Sequence, residues 1–339
     1  MFRPVPRGPA PVDFALEKTL TIYDPLSPEM RDVLDRLARA SAGVNRYDLA
    51  FPEARQVLED QRVWWNSEGP RLPRVETFML RAGEMELRAR IYDPRGRDAA
   101  ATDDGPVVVY MHGGGWCVGS IDTHDRITRT MAHISGLRVL SLDYPLAPEA
   151  PFPMALDALV AVIQDPPADP RIGGPSTGWI LSGDSAGANL SVAGSLRLRE
   201  MGRPMPLALL LFYGCYQDDL ESKSYRTYGG GTFGLSVAAM RKYWKAYAAN
   251  GGRREELYPL KADLHGLPPS LVVAAECDVL YDENITMYEK LVAAGVEADL
   301  LEVPQVIHGF LAFGRTLEAA NETLRDTCRW LESHLPGRG

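Results

Sequence analysis

The spacing of apolar positions changes along this chain, and each change predicts a different element. Near the N-terminus they recur at helical intervals: Met30, Val33, Leu34 and Leu37 form an i, i+3, i+4, i+7 stripe, with Ser27-Pro28 as a start signal ahead of it. Residues 51–65 predict a second helix that closes on Trp64-Trp65. From Val75 the texture turns to strands, with 75–81 and 85–92 flanking Ala82-Gly83-Glu84 as a hairpin and 94–105 as a Gly/Asp/Ala-rich loop. Strand-length apolar runs then follow at 107–111, 137–142, 179–182, 207–212, 271–275 and 299–303. Helical patterns separate them near 122–134, 154–163, 186–200, 237–248 and 283–294, with a last one at 317–335. Such alternation predicts a mostly parallel central sheet flanked by helices on both faces, an α/β fold. Residues 213–259, with Gly229-Gly230-Gly231 and a helix bearing Tyr243, Trp244 and Tyr247, read as an insertion rather than sheet.

Composition narrows the class. With 339 residues, 45% of them hydrophobic, the chain supports one large domain and an accessory piece. No run of about 18 uncharged apolar residues predicts a membrane span, and a formal charge of -9 argues against nucleic-acid binding. Prolines interrupt the first seven residues where a signal peptide needs an apolar stretch, so a cytoplasmic location is expected. Cys117, Cys215, Cys277 and Cys328 lie far apart in no metal-ligand spacing and read as reduced, mostly buried thiols.

The chemistry concentrates at strand ends. Gly183-Asp184-Ser185-Ala186-Gly187 stands where a strand hands over to a helix, the context of a nucleophile elbow. There the sharp turn lifts Ser185 above the sheet, and the helix start aims N–H groups at a developing oxyanion. His112-Gly113-Gly114-Gly115-Trp116 follows an earlier strand; it lacks the Gly-Lys-Ser/Thr of a phosphate cradle and fits a loop of oxyanion donors. His112 precedes the serine, whereas elbow hydrolases run Ser, acid, His, so it reads as a loop organiser. Beyond Asp278 only His308 and His334 remain, and His334 sits on the terminal helix, which leaves the order Ser185, Asp278, His308. Asp282 and Glu283 read as favourable charges at a helix start.

Together with Asp143-Tyr144-Pro145-Leu146-Ala147-Pro148-Glu149, Asp278 to Glu283 and His308-Gly309-Phe310, these motifs make the chain resemble the hormone-sensitive-lipase family of α/β-hydrolases, in its bacterial esterase branch (family IV). The likeness runs from about Val107 to the C-terminus. Phe212-Tyr213-Gly214-Cys215-Tyr216 and the region around His308 make it similar to acetyl esterases. Pro145 stands where the family usually has arginine, and Ala188 where it has a second glycine after the elbow. The resemblance implies an α/β-hydrolase fold with an N-terminal helical cap over 1–72, a catalytic domain over 73–339, and a contribution to the cap from 213–259. It implies Ser185 as nucleophile, His308 as base then acid, Asp278 as the orienting acid, and the N–H groups of Gly114, Gly115 and Ala186 as oxyanion hole. Trp116, Tyr213 and Phe310 are the expected substrate contacts, with Trp64 and Trp65 as further apolar surface. The expected activity is hydrolysis of short-chain esters, acetyl to hexanoyl, with no metal or organic cofactor. Family members often pair as homodimers; no nucleic-acid or membrane partner is expected. An amidase, an arylformamidase or a deacetylase would use the same triad. A non-catalytic binding protein, such as the plant gibberellin receptor of this fold, has lost the histidine that this chain retains at His308.

Overall fold

The computed structural model describes residues 25–41, 43–95, 105–164, 169, 171–172 and 178–335. The start of the expected cap (1–24), most of the 94–105 loop and the last four residues lie outside them. Eight strands form one sheet: β1 (Arg74–Ala82), β2 (Met85–Asp93), β3 (Val107–Met111), β4 (Arg138–Leu142), β5 (Trp179–Asp184), β6 (Ala208–Phe212), β7 (Ser270–Cys277) and β8 (Ala298–Ile307). They lie in the order β1-β2-β4-β3-β5-β6-β7-β8. β2 pairs antiparallel with both β1 and β4, and every other pairing is parallel. The sheet is therefore mostly parallel.

Every residue of β3, β4, β5 and β6 is buried, which is why these strands read as continuous apolar runs rather than alternating ones. Their two faces feed two cores. Val107, Val109 and Met111 of β3 join Leu181 and Leu211 under α4 (Met154–Gln164) and α5 (Ala186–Glu200). Val108 and Tyr110 join Ile180 and Leu210 under α3 (Asp125–Ser135) and α10 (Glu318–His334). The N-terminal segment folds as α1 (Pro28–Ser41) and α2 (Phe51–Asn66). Residues 213–259 hold α6 (Lys223–Tyr228), α7 (Val237–Tyr247) and α8 (Arg254–Leu257), and no strand among the described residues.

Two boundaries differ from expectation by three residues or more. α3 begins at Asp125 rather than Asp122, because the Ser120 and Thr123 side chains hold residues 120–123 in a turn of their own. β8 runs past Pro304 to Ile307. It lies at the edge of the sheet, where a residue without an N–H breaks no ladder. The extension matters, because Cys277 of β7 pairs with Ile307 of β8, so the residue after each, Asp278 and His308, emerges side by side.

Candidate active site

β5 ends against Phe212 of β6, and the Ser185 N–H donates to the Phe212 carbonyl at 2.8 Å. Ser185 itself sits at φ +55°, ψ -116°, outside the regions a side chain prefers. The next residues enter α5, so the chain turns from strand to helix at one residue. Only glycine fits beside it. A Cβ on Gly183 would stand 2.5 Å from the Met111 carbonyl oxygen, and one on Gly187 only 1.8 Å from it. The elbow is thus wedged against the end of β3.

The His308 Nε2 lies 3.0 Å from the Ser185 Oγ, and its Nδ1 lies 2.6 Å from the Asp278 Oδ2. A carboxylate can only accept, so Nδ1 carries the proton and the Nε2 lone pair faces the serine hydroxyl. The second Asp278 oxygen accepts from the Leu280 N–H at 3.0 Å. Asp278 is buried, whereas the His308 side chain retains 13% exposure. Asp282 and Glu283 occupy the first turn of α9 (Tyr281–Ala293), and their carboxylates point elsewhere. Asp282 accepts from the Ser224 N–H, and Glu283 from the Tyr216 and Gln217 N–H groups and the Tyr225 hydroxyl. They tie the segment after β6 to the sheet. His334 stacks on Trp330 within α10, away from the site.

Gly113, Gly114 and Gly115 face the same cavity as Ser185. Among the described residues, neither the Gly114 nor the Gly115 N–H donates to a protein acceptor, while the Gly114 carbonyl accepts from Cys117 and Val118 and closes the loop. Asp184, the residue before the serine, holds that loop: its Oδ1 accepts from the Gly113 N–H at 2.9 Å and the Tyr110 hydroxyl at 2.8 Å. Burial alone would raise its pKa; the His124 imidazole, the Tyr110 hydroxyl and the Gly113 amide outweigh it and bring it down to about 2. The role of Asp184 escaped the sequence analysis, where it was simply a variable position of the pentapeptide.

His112 stacks on Tyr144, with ring centroids 4.2 Å apart, and its Nδ1 donates to the Gly113 carbonyl at 2.9 Å. Burial lowers its pKa to about 4. Between that value and the 6.5 of a free histidine the unfolded chain binds the extra proton and the native chain does not, so stability rises with pH across the window. Acidification from pH 6.5 to 4 therefore costs the fold roughly 3 kcal/mol through this residue. Chemical denaturation at a series of pH values checks it. His112→Phe, which keeps a ring on Tyr144 but gains no proton, loses less stability than the native chain over that range.

A cavity of about 850 Å³ opens above Ser185 and His308. Its walls come from α1, α2, the 43–48 loop, the 229–243 segment and the loop around Phe313. Arg55 of α2 joins this wall to the catalytic face, donating to the Cys117 and Ala147 carbonyls at 2.8 and 2.9 Å and pairing with Glu149 at 2.6 Å. Trp65 lines the cavity; Trp64 does not, and lies between the Arg36 and Arg315 guanidinium groups, each 3.8 Å from its ring. Trp116, Tyr213 and Phe310 are fully buried and none lines the cavity, which corrects the expectation that they contact substrate. Trp116 is stacked on Tyr247, and Tyr213 packs between His308 and Phe310. They brace the site from behind. In their place the cavity presents Tyr47, Tyr243, Arg46 and Arg62. The signal for Arg62 was legible: it falls on the same face of α2 as the buried Ala54, Leu58 and Trp65, a cation inside an apolar stripe.

A family pattern described as alpha/beta hydrolase fold matches residues 108–312, well over half of the chain. The chain belongs to the α/β-hydrolase family. Among solved structures it is similar to an ester hydrolase from the metagenome of Lake Arreo, in complex with a bipyridine phosphonate derivative, at 30% identity. That match covers 91% of this chain and 99% of the other, with a TM-score of 0.83. A hyperthermophilic esterase from the archaeon Pyrobaculum calidifontis matches at 30% identity over 91% and 98% of the two chains, TM-score 0.81. A thermostable esterase from Pseudomonas putida matches at 26% over 92% and 98%, TM-score 0.82. Within the α/β-hydrolase family the chain is thus a hormone-sensitive-lipase-like esterase, a carboxylic ester hydrolase. No helix among the described residues is long and apolar enough to cross a membrane, and no cluster of three or more His, Cys, Asp or Glu among them is arranged to hold a metal ion.

Proposed function

We propose that this α/β-hydrolase is a serine carboxylesterase that cleaves short-chain esters, acetyl to hexanoyl, through an acyl-enzyme. The observation that carries the reading is the unbroken line from Asp278 through His308 to Ser185, at 2.6 and 3.0 Å, on the floor of the cavity. His308 takes the Ser185 proton as the serine oxygen attacks the ester carbonyl, and Asp278 holds the resulting imidazolium. The N–H groups of Gly114, Gly115 and Ala186 receive the oxyanion. His308 then gives the proton to the leaving alcohol, and water repeats the cycle on the acyl-serine. Residues 25–72 and part of 213–259 serve as a cap that closes over the bound ester.

Chain length follows from the wall. A long acyl chain gains about 0.8 kcal/mol for each buried methylene in an apolar slot, but here it would also strip water from Arg46 and Arg62, which costs more than the methylenes return. Initial rates on p-nitrophenyl esters of increasing acyl length test the reading. kcat/KM is expected to peak between acetyl and hexanoyl and to fall steeply by decanoyl. Efficient hydrolysis of emulsified long-chain triglycerides would make the protein a lipase instead.

A further inference from the structure

Two cations face the cavity above Ser185 with no carboxylate paired to either among the described residues. Arg46 and Arg62 both line it, and among the described residues neither is in an ion pair. The Nε of each is buried without a hydrogen-bond partner. Arg46 donates to the neutral Tyr47 hydroxyl at 2.8 Å and lies against that of Tyr243, and Arg62 leans over the Phe313 ring, 5.1 Å from its centre. The other charges around the cavity are already committed. Asp48 is exposed and accepts from Asn45, while Asp184 lies behind the glycine loop on Tyr110 and Gly113. The Lys242 ammonium is bound to the Tyr47 and Leu49 carbonyls. His308 is taken by Asp278.

Drawing a guanidinium partly out of water without a counter-charge is unfavourable, and no described residue supplies one at these two places. Burial lowers the Arg62 pKa to about 10, with the positive charge of Arg46 acting in the same sense and Tyr213 and Asp184 against it. Arg62 therefore stays protonated at neutral pH. Two planar forks on the wall of one cavity can each meet a carboxylate with paired N–H groups.

We propose that Arg46 and Arg62 form an anion-binding pole above the nucleophile, and that the preferred substrate is an ester carrying a carboxylate on its acyl or its alcohol half. The assignment rests on the esterase reading of the same site. It makes the two arginines specificity-determining residues: they hold the charged end of the ester while the carbonyl lies between Ser185 and the glycine loop.

Matched pairs of esters test it. On the acyl side, ethyl hydrogen succinate is compared with ethyl pentanoate; on the alcohol side, 4-carboxyphenyl acetate with 4-methylphenyl acetate. The native protein is expected to favour the anionic member of at least one pair by tenfold or more in kcat/KM. In Arg62→Gln and in Arg46→Gln that ratio should fall at least tenfold, with the loss in KM rather than kcat, and Arg62→Lys should restore part of it. A native preference for the neutral ester in both pairs, or a ratio unmoved in both glutamine variants, would overturn the pole and leave the esterase intact. If no ester of either kind is hydrolysed, the esterase reading fails, and the pole is read alone by titrating benzoate into Ser185→Ala protein. Binding weakened tenfold or more by adding Arg62→Gln then supports the pole; no binding, or binding indifferent to Arg62, overturns it.

Discussion

Ser185→Ala is expected to lower kcat on a p-nitrophenyl ester by at least about four orders of magnitude while the melting temperature changes little. The expectation follows from geometry rather than from the motif alone. The hydroxyl lies 3.0 Å from an imidazole nitrogen whose lone pair can take its proton, and that imidazole is oriented by a buried carboxylate 2.6 Å away. Asp278→Asn and His308→Ala should each lose nearly as much, and combining them with Ser185→Ala should add little, because the three act as a unit. Asp282→Asn is the discriminating control, since its carboxylate holds the Ser224 N–H instead. A variant series in which Asp282→Asn lost activity and Asp278→Asn kept it would reassign the acid. Stability should respond weakly to Ser185→Ala, because the substitution removes one hydroxyl and leaves the strained turn in place.

The second large effect is expected at the oxyanion loop. Gly114 sits at φ +128°, where a side chain is strained, and a Cβ there would stand 2.0 Å from the Val118 carbonyl oxygen and 2.7 Å from its carbon. Both contacts are backbone, so no rotamer change relieves them. Gly114→Ala must displace the loop whose two N–H groups are proposed to receive the oxyanion, and loss of such donors costs about 10²–10³ in kcat. The triad is untouched, so Ser185 should still react with an organophosphonate, only more slowly. Gly136→Ala separates strain from catalysis. Gly136 is also left-handed, at φ +66°, but caps α3 in open space away from the site. It should cost about 1–2 kcal/mol of stability, the penalty of a side chain in the left-handed region, with kcat retained. Equal kcat losses in the two variants would mean that the loop matters only through folding.

Much of this arrangement was legible before any coordinates. The elbow glycines, the strand preceding them and the order Ser185, Asp278, His308 are local signals, each readable from a few consecutive residues. What the sequence hid depends on pairing between distant segments. The end of β8 is one case: Pro304 argues for a strand end, but at the edge of the sheet a break in register between Val303 and Ile307 lets the strand continue and places His308 beside Asp278. The cavity wall is another. Trp116, Tyr213 and Phe310 are bulky side chains in or beside the motifs, but size near a motif does not say which way a side chain faces, and all three are packed behind the site. Arg46 and Tyr243, which do face it, come from segments that no motif marks, and Arg62 shows only as a cation within the apolar stripe of α2.

The central claim is that Ser185 carries the acyl group. Intact-mass measurement followed by peptide mapping, after treatment with a p-nitrophenyl alkylphosphonate, tests it most directly. The account predicts one adduct per chain, mapped to Ser185, with loss of esterase activity in step with labelling and no adduct in Ser185→Ala. Stoichiometric labelling at any other residue, or an unlabelled Ser185 in fully inactivated protein, would contradict it.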